Sequence, residues 1–205
     1  MAMNSAPDLR FTTVDPVTLG EQRRQGKRHR TVLLIGRVSR GDVESACLVH
    51  DISKNGLMAR FTVAPSVGDR LRIEVRGLPE VSATIRWVKE YKAGLEFDEE
   101  QDLTRVFRLR ADDGHVARTP RFAMNAVADL KIGDRPMAVD LIDISPGGVK
   151  LAGVEGVEVG QAGRVLLPDL AEPVFGTVCW VREDRLGFRF VTPLPLTALS
   201  RVLGC

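Results

Sequence analysis

In the stretch LRIEVR, Leu71, Ile73 and Val75 alternate with Arg72, Glu74 and Arg76, and Arg70 extends the polar side. A period of two puts the apolar side chains on one face of a strand and the charged ones on the other. VSATIRW carries the rhythm on through Val81, Ala83, Ile85 and Trp87. Further along, Met124, Ala126, Ala128, Leu130 and Ile132 alternate with largely polar partners. Between such runs lie KNG, SVGD, KAG, KIGD, SPGG and EDRLG, whose Gly, Pro, Asn and Asp mark turns. Short strands joined by turns predict a small antiparallel barrel or sandwich. Trp87 and Trp180 sit in the apolar phase of their strands and are expected to anchor cores.

The period changes in two places. In DEEQDLTRVFRLR, Leu103, Val106 and Phe107 fall on one helical stripe, with acids leading and arginines ending the segment as the helix dipole favours. Leu196, Leu199 and Leu203 repeat that spacing near the C-terminus.

These patterns occur twice. LVHDISKNGLMAR, from Leu48, resembles DLIDISPGGVKLAG, from Asp140, and IRWVKEYKAGLEF, from Ile85, resembles VCWVREDRLGFRF, from Val178. Asp51 and Asp143 are 92 residues apart; Trp87 and Trp180, like Phe97 and Phe190, are 93 apart. So constant an offset means duplication, and the period is too long for a solenoid. The boundary is expected near Ala111–Gly114, giving a leading segment 1–19, a first domain 20–112 and a second domain 113–205.

Composition narrows the function. The 205 residues are 44% hydrophobic and 27% charged, ordinary for a globular protein. With 29 Lys and Arg against 27 Asp and Glu, the net charge of +2 offers polyanions no global field, so any attraction must be local. Near-zero charge and 5% aromatic residues argue against DNA or RNA as partner. No segment has the form of a secretory signal or the apolar length of a membrane span, so a cytoplasmic protein without membrane insertion is expected. Cys47, Cys179 and Cys205 are read as reduced, buried or terminal thiols. They do not cluster with His29, His50 and His115 as zinc ligands do, so no metal or other cofactor is expected. No nucleophile–base set or phosphate loop is present, and Glu99-Glu100 and Asp112-Asp113 read as a helix start and a linker. Catalysis is therefore not expected.

One local charge stands out. RRQGKRHR, Arg23 to Arg30, holds six cationic or titratable side chains in eight residues, with Arg24 and Arg28 spaced as RxxxR. Downstream comes Asp51-Ile52-Ser53-Lys54-Asn55-Gly56, a DxSxxG turn between apolar strands, and then a strand with a Trp…Gly…Phe signature. By itself the turn fits a plain Asx-type connection, since these residues favour turns anyway. In this order and spacing, the motifs resemble the PilZ domain, a bacterial receptor module for the second messenger cyclic di-GMP. The resemblance runs from about residue 20 to 110 and again from about 114 to 205. It implies a mainly β fold of two tandem split-type antiparallel barrels, each followed by a short helix. It also implies an arginine arm that closes over the ligand while the turn holds it from beneath.

The chemistry fits such a ligand, a dianion with two guanine bases. A guanidinium matches phosphate oxygens through a bidentate fork and can also address O6 and N7 of guanine. Asp51 and Ser53 can bond a guanine edge, and Gly56 permits a positive φ or a close approach of the ligand. Arg24 and Arg28 are thus the expected principal contacts. Asp51, Ser53 and Gly56 complete the site, with Arg23, Lys54 and Asn55 as auxiliaries. His29 is expected to face solvent and His50 to be structural.

The second copy keeps its turn, Asp143-Ile144-Ser145-Pro146-Gly147-Gly148, but its arm reads ARTPRF. Arg118 and Arg121 are three apart, Ala117 stands four before Arg121, and Pro120 stiffens the segment. It is either a second site built from Arg118, Arg121, Asp143, Ser145 and Gly148 or a degenerate partner of the first. The expected function is a cyclic di-GMP receptor that changes conformation and signals through a downstream protein, here unidentified. The alternative is a ligand-independent adaptor or scaffold.

Overall fold

The computed structural model describes residues 33–107 and 117–204. The first barrel is built from β1 (Leu34–Arg40), β2 (Val43–Ser53), β3 (Gly56–Phe61), β4 (Arg70–Val75), β5 (Leu78–Lys89) and β6 (Lys92–Phe97). The second is built from β7 (Phe122–Ile132), β8 (Arg135–Ser145), β9 (Gly148–Ala152), β10 (Ala162–Leu166), β11 (Val174–Arg182) and β12 (Arg185–Phe190). Both are closed and antiparallel, in the orders β1-β2-β3-β6-β5-β4 and β7-β8-β9-β12-β11-β10. The duplication read from the sequence is thus a duplication of topology. Closure leaves neither sheet a free edge.

The alternation in the sequence fills the interiors. Leu71, Ile73 and Val75 point inward from β4 with Ala83 and Ile85 from β5, while Ala128 and Leu130 point inward from β7. Burying a side chain such as Ile73 stabilises the fold by about 1.5–3 kcal/mol. Outside, the first barrel carries ion pairs: Arg40–Asp69 at 2.6 Å, Arg70–Asp98 at 2.7 Å, Arg72–Glu80 at 3.3 Å, and Arg86–Glu96.

Bulges break the alternation at matching places. On β2 the register slips between Val49 and Asp51, and on β8 between Leu141 and Asp143. Val49 is buried in the core, so strict alternation would aim Asp51 inward as well. The extra residue, His50, turns Asp51 outward and returns Ile52 to the core. On β5 and β11 the slips fall between Ile85 and Trp87 and between Val178 and Trp180. The tryptophans therefore leave the core phase, and Trp87 is 40% exposed. This corrects the expectation that they anchor cores. Cys179, on the β11 bulge, is exposed, whereas Cys47 is buried.

The helix after the first barrel, α1 (Thr104–Phe107), begins later than its pattern predicts. Leu103 and Val106 are buried as expected, but Phe107 is exposed and residues 98–102 are not helical. Asp102 instead accepts bonds from the Thr104 amide at 2.9 Å and its hydroxyl at 2.5 Å. These donors, the hydroxyl foremost, hold its carboxyl below the usual carboxylate range. The second helix, α2 (Leu196–Val202), follows its pattern: Leu199 is fully buried, and Leu196 and Leu203 are partly so.

Helix α2 also joins the two barrels. It packs against β2, and Ala46 and Ile35 of the first barrel belong to the apolar cluster of the second. Ala46 faces out from its own barrel, yet is fully buried, because the second domain covers it.

Candidate ligand-binding faces

The DxSxxG segment is a hairpin in which Ser53 pairs with Gly56 across Lys54 and Asn55. Ser53 Oγ donates to the Gly56 carbonyl at 3.0 Å, while the Asn55 and Lys54 carbonyls accept from the Phe97 and Gln101 amides at 2.9 and 2.8 Å. The second hairpin repeats this set. Ser145 Oγ donates to the Gly148 carbonyl at 3.1 Å, Phe190 N bonds Gly147 O at 3.0 Å, and Leu194 N bonds Pro146 O at 2.8 Å. Each serine thus commits its one proton to closing the turn and keeps lone pairs for a further donor.

The glycine has a different reason from the one expected. Neither Gly56 nor Gly148 has a positive φ. A Cβ at Gly56 would lie 2.1 Å from the Leu95 carbonyl oxygen, and one at Gly148 would lie 2.4 Å from that of Phe188. A neighbouring strand, rather than a ligand, excludes a side chain there.

Strand register carries the face outward from the turn. Asp51 pairs with Met58, Met58 with Gly94 and Gly94 with Trp87, forming one outward row across four strands. The Trp87 indole lies over Gly94, where a Cβ would be 2.0 Å from its Nε1. The second barrel has the same row as Asp143, Lys150, Gly187 and Trp180, with the same 2.0 Å approach at Gly187. Met58 was not singled out from the sequence, and the Trp…Gly…Phe signature was read there without the stacking of its indole on its glycine. The signal for the stack is the repeated Trp-to-Gly interval, 87 to 94 and 180 to 187.

Arg23, Arg24 and Arg28 lie outside the described residues. The half-buried Asp51 carboxylate has no ion pair among the described residues, and Lys54 stands 3.6 Å from Glu100 at the exposed turn. In the second copy the structure brings Arg121 and Asp143 together. Arg121 directly precedes β7, and its Nη1 bonds Asp143 Oδ1. Arg118 is exposed and joins no ion pair among the described residues. The Arg121 carbonyl also accepts a long 3.4 Å bond from Arg37 of the first barrel, whose guanidinium is held by Glu74 at 2.7 Å and Glu44 at 3.2 Å.

A cleft of about 470 Å³ lies past the far end of β9 from the second turn, lined by Val154, Val157, Glu155, Glu183 and Asp184 among others. Its carboxylates repel an anion, so it does not compete with the turn faces. Among the described residues, no group of His, Cys, Asp or Glu is placed to hold a metal ion, and no helix is long and apolar enough to cross a membrane.

Together these features define a tandem-barrel protein in which each barrel presents a serine-closed turn and a tryptophan-capped outward row. The chain belongs to the PilZ domain family, whose profile matches residues 22–109 and again 116–204. Solved structures with a similar chain path include the Borreliella burgdorferi PlzA protein in complex with c-di-GMP. That pair is 13% identical, covering 91% of this chain and 97% of that one, with a TM-score of 0.41. YcgR from Escherichia coli in complex with c-di-GMP is 15% identical over 84% of this chain and 81% of that one, with a TM-score of 0.32. The Bacillus subtilis inhibitor of motility, MotI/DgrA, is 13% identical over 83% and 93%, with a TM-score of 0.33. A comparison with curated proteins finds no match.

Proposed function

We propose that the chain is a cyclic di-GMP receptor whose first domain binds the messenger between the RxxxR arm and the DxSxxG face. The observation that carries this reading is the β2 bulge, which turns Asp51 outward beside the serine-closed turn of a PilZ domain. A carboxylate so placed, with no ion pair among the described residues, is free to accept from a guanine edge. Ser53 contributes acceptor lone pairs. Gly56 shapes the turn, and Arg24 and Arg28, with Arg23 beside them, supply the cations for a dianion. Lys54 and Asn55 flank the site from the turn itself.

Output would pass through protein contacts. Strand β2 ends in Asp51 and Ser53, and its middle carries Ala46 under α2 of the second domain. Ligand and domain interface would thus bear on one strand, and a change in docking would present a new surface to a partner. No chemical step is assigned to either face, and the messenger acts as ligand.

Equilibrium dialysis with labelled cyclic di-GMP tests the site. Asp51→Ala should weaken binding at the first face by about tenfold or more, as loss of a hydrogen-bonded charged partner does. Excess GTP should not displace the label. Retention unchanged by Asp51→Ala, or full displacement by GTP, contradicts the assignment.

A further inference from the structure

The two copies serve as internal controls, and they differ most in charge on the outward rows. In the first barrel the row is Asp51, Met58, Gly94, Trp87, and in the second Lys150 stands where Met58 does. The next row runs Ser53, Gly56, Glu96, Thr84 in the first barrel and Ser145, Gly148, Arg189, Thr177 in the second. Glu96 is paired with Arg86 on the β5 bulge, whereas Arg189 faces a strand whose bulge residue is Cys179. Of the two arm cations, Arg121 is already held by Asp143, while Arg118 is exposed and joins no ion pair among the described residues.

The outward rows of the second face therefore present two cations with no ion pair among the described residues. Lys150 and Arg189 each lie between core residues of their strands, Val149 and Leu151 or Phe188 and Phe190, so both project outward. Gly148 pairs with Arg189, and Lys150 with Gly187 on the same strand, so the two cations are diagonal neighbours on one face. Such positions lie about 7–8 Å apart, within joint reach of one phosphate group by long side chains. A charge reversal and a charge gain at diagonal positions, beside an intact turn, give this face the positive charge that an anion site requires.

We infer that the second barrel carries its own site for a dianionic nucleotide, in which Lys150 and Arg189 take the phosphate contacts that the arm supplies in the first domain. Arg121 stays with Asp143 and positions it, and the Ser145 turn borders the site. This rests on the proposed function in taking cyclic di-GMP as the ligand.

Native mass spectrometry of the full chain with cyclic di-GMP, supported by calorimetric stoichiometry, tests it with two double variants. Lys150→Met/Arg189→Glu installs the first-copy residues, and Arg24→Ala/Arg28→Ala removes the first arm. Lys150→Gln/Arg189→Gln serves as a milder form should the first fold poorly by circular dichroism. The wild type should bind two molecules and each double variant one. The occupancy lost in the Lys150/Arg189 variants should reflect at least about tenfold weaker binding. Two molecules retained in those variants, or a single wild-type molecule lost only with the arm, overturns the second site and leaves the first. One molecule lost with Lys150 and Arg189 but kept without the arm supports the second site and contradicts the first. No binding by the wild type overturns both.

Discussion

At the scale of single residues, the turn motif is built largely for the fold. Gly56 is required because the Leu95 carbonyl oxygen occupies the space a Cβ would take. Gly56→Ala should therefore destabilise the first barrel by about 1–3 kcal/mol in chemical denaturation, before any effect on ligand is considered. The motif's positions were legible in the sequence, but this glycine's reason was not, because it depends on a strand some forty residues away. Cys47 offers an independent check of burial. Loss of solvent pushes its thiol up from an ordinary 9.0 to about 12, against a smaller opposing effect of its backbone bond with Gly36. The unfolded thiol ionises near 9 while the folded one stays protonated. Its stabilising contribution is thus complete below pH 9 and is lost progressively between pH 9 and 12, at up to about 1.4 kcal/mol per pH unit. In native protein at pH 8, alkylation followed by peptide mapping should modify Cys179 and spare Cys47. Equal labelling would show that the β2 core opens readily.

Among the elements, strands were legible from a period of two, and bulges were not. Alternation correctly sent Ile73, Ile85 and Leu130 inward. It also sent Trp87 inward, because a bulge adds a residue without any local change in polarity. The same device exposes Asp51 and Asp143, so what defeats the sequence reading also forms the candidate site. Turn signals failed in a related way: Gly94 and Gly187 read as turn glycines but lie in β6 and β12 beneath indoles. Gly94→Ala should force the Trp87 ring off the strand, red-shifting tryptophan emission and lowering stability by about 1–3 kcal/mol. An unshifted spectrum would mean that the indole does not rest there. The first helix was overpredicted because Asp98 to Asp102 were read as its acidic first turn. Asp102 instead caps from outside, through Thr104.

For the whole molecule, the repeat made two domains legible, yet nothing in the sequence revealed how they meet. The interface uses Ala46 and Ile35, unremarkable apolar residues on the outer face of the first barrel, under α2. Ala46→Glu would bury a carboxylate there, so the domains should part with both barrels intact. Small-angle scattering would register a larger radius of gyration beside an unchanged circular dichroism spectrum; an unchanged radius would contradict the docking. Arg37 adds a polar tie, linking Glu44 and Glu74 of the first barrel to the carbonyl of Arg121, whose side chain holds Asp143. Each proposed site therefore has a covalent or hydrogen-bonded route to the interface, and on the proposed reading ligand at either would bear on how the domains dock. That coupling presupposes binding at the first face, and titration calorimetry of the intact chain with cyclic di-GMP tests this most directly. The account predicts saturable heat at micromolar protein, with the first-site component lost in Arg24→Ala/Arg28→Ala. No heat from the wild type, or a titration that those substitutions leave unchanged, would contradict it.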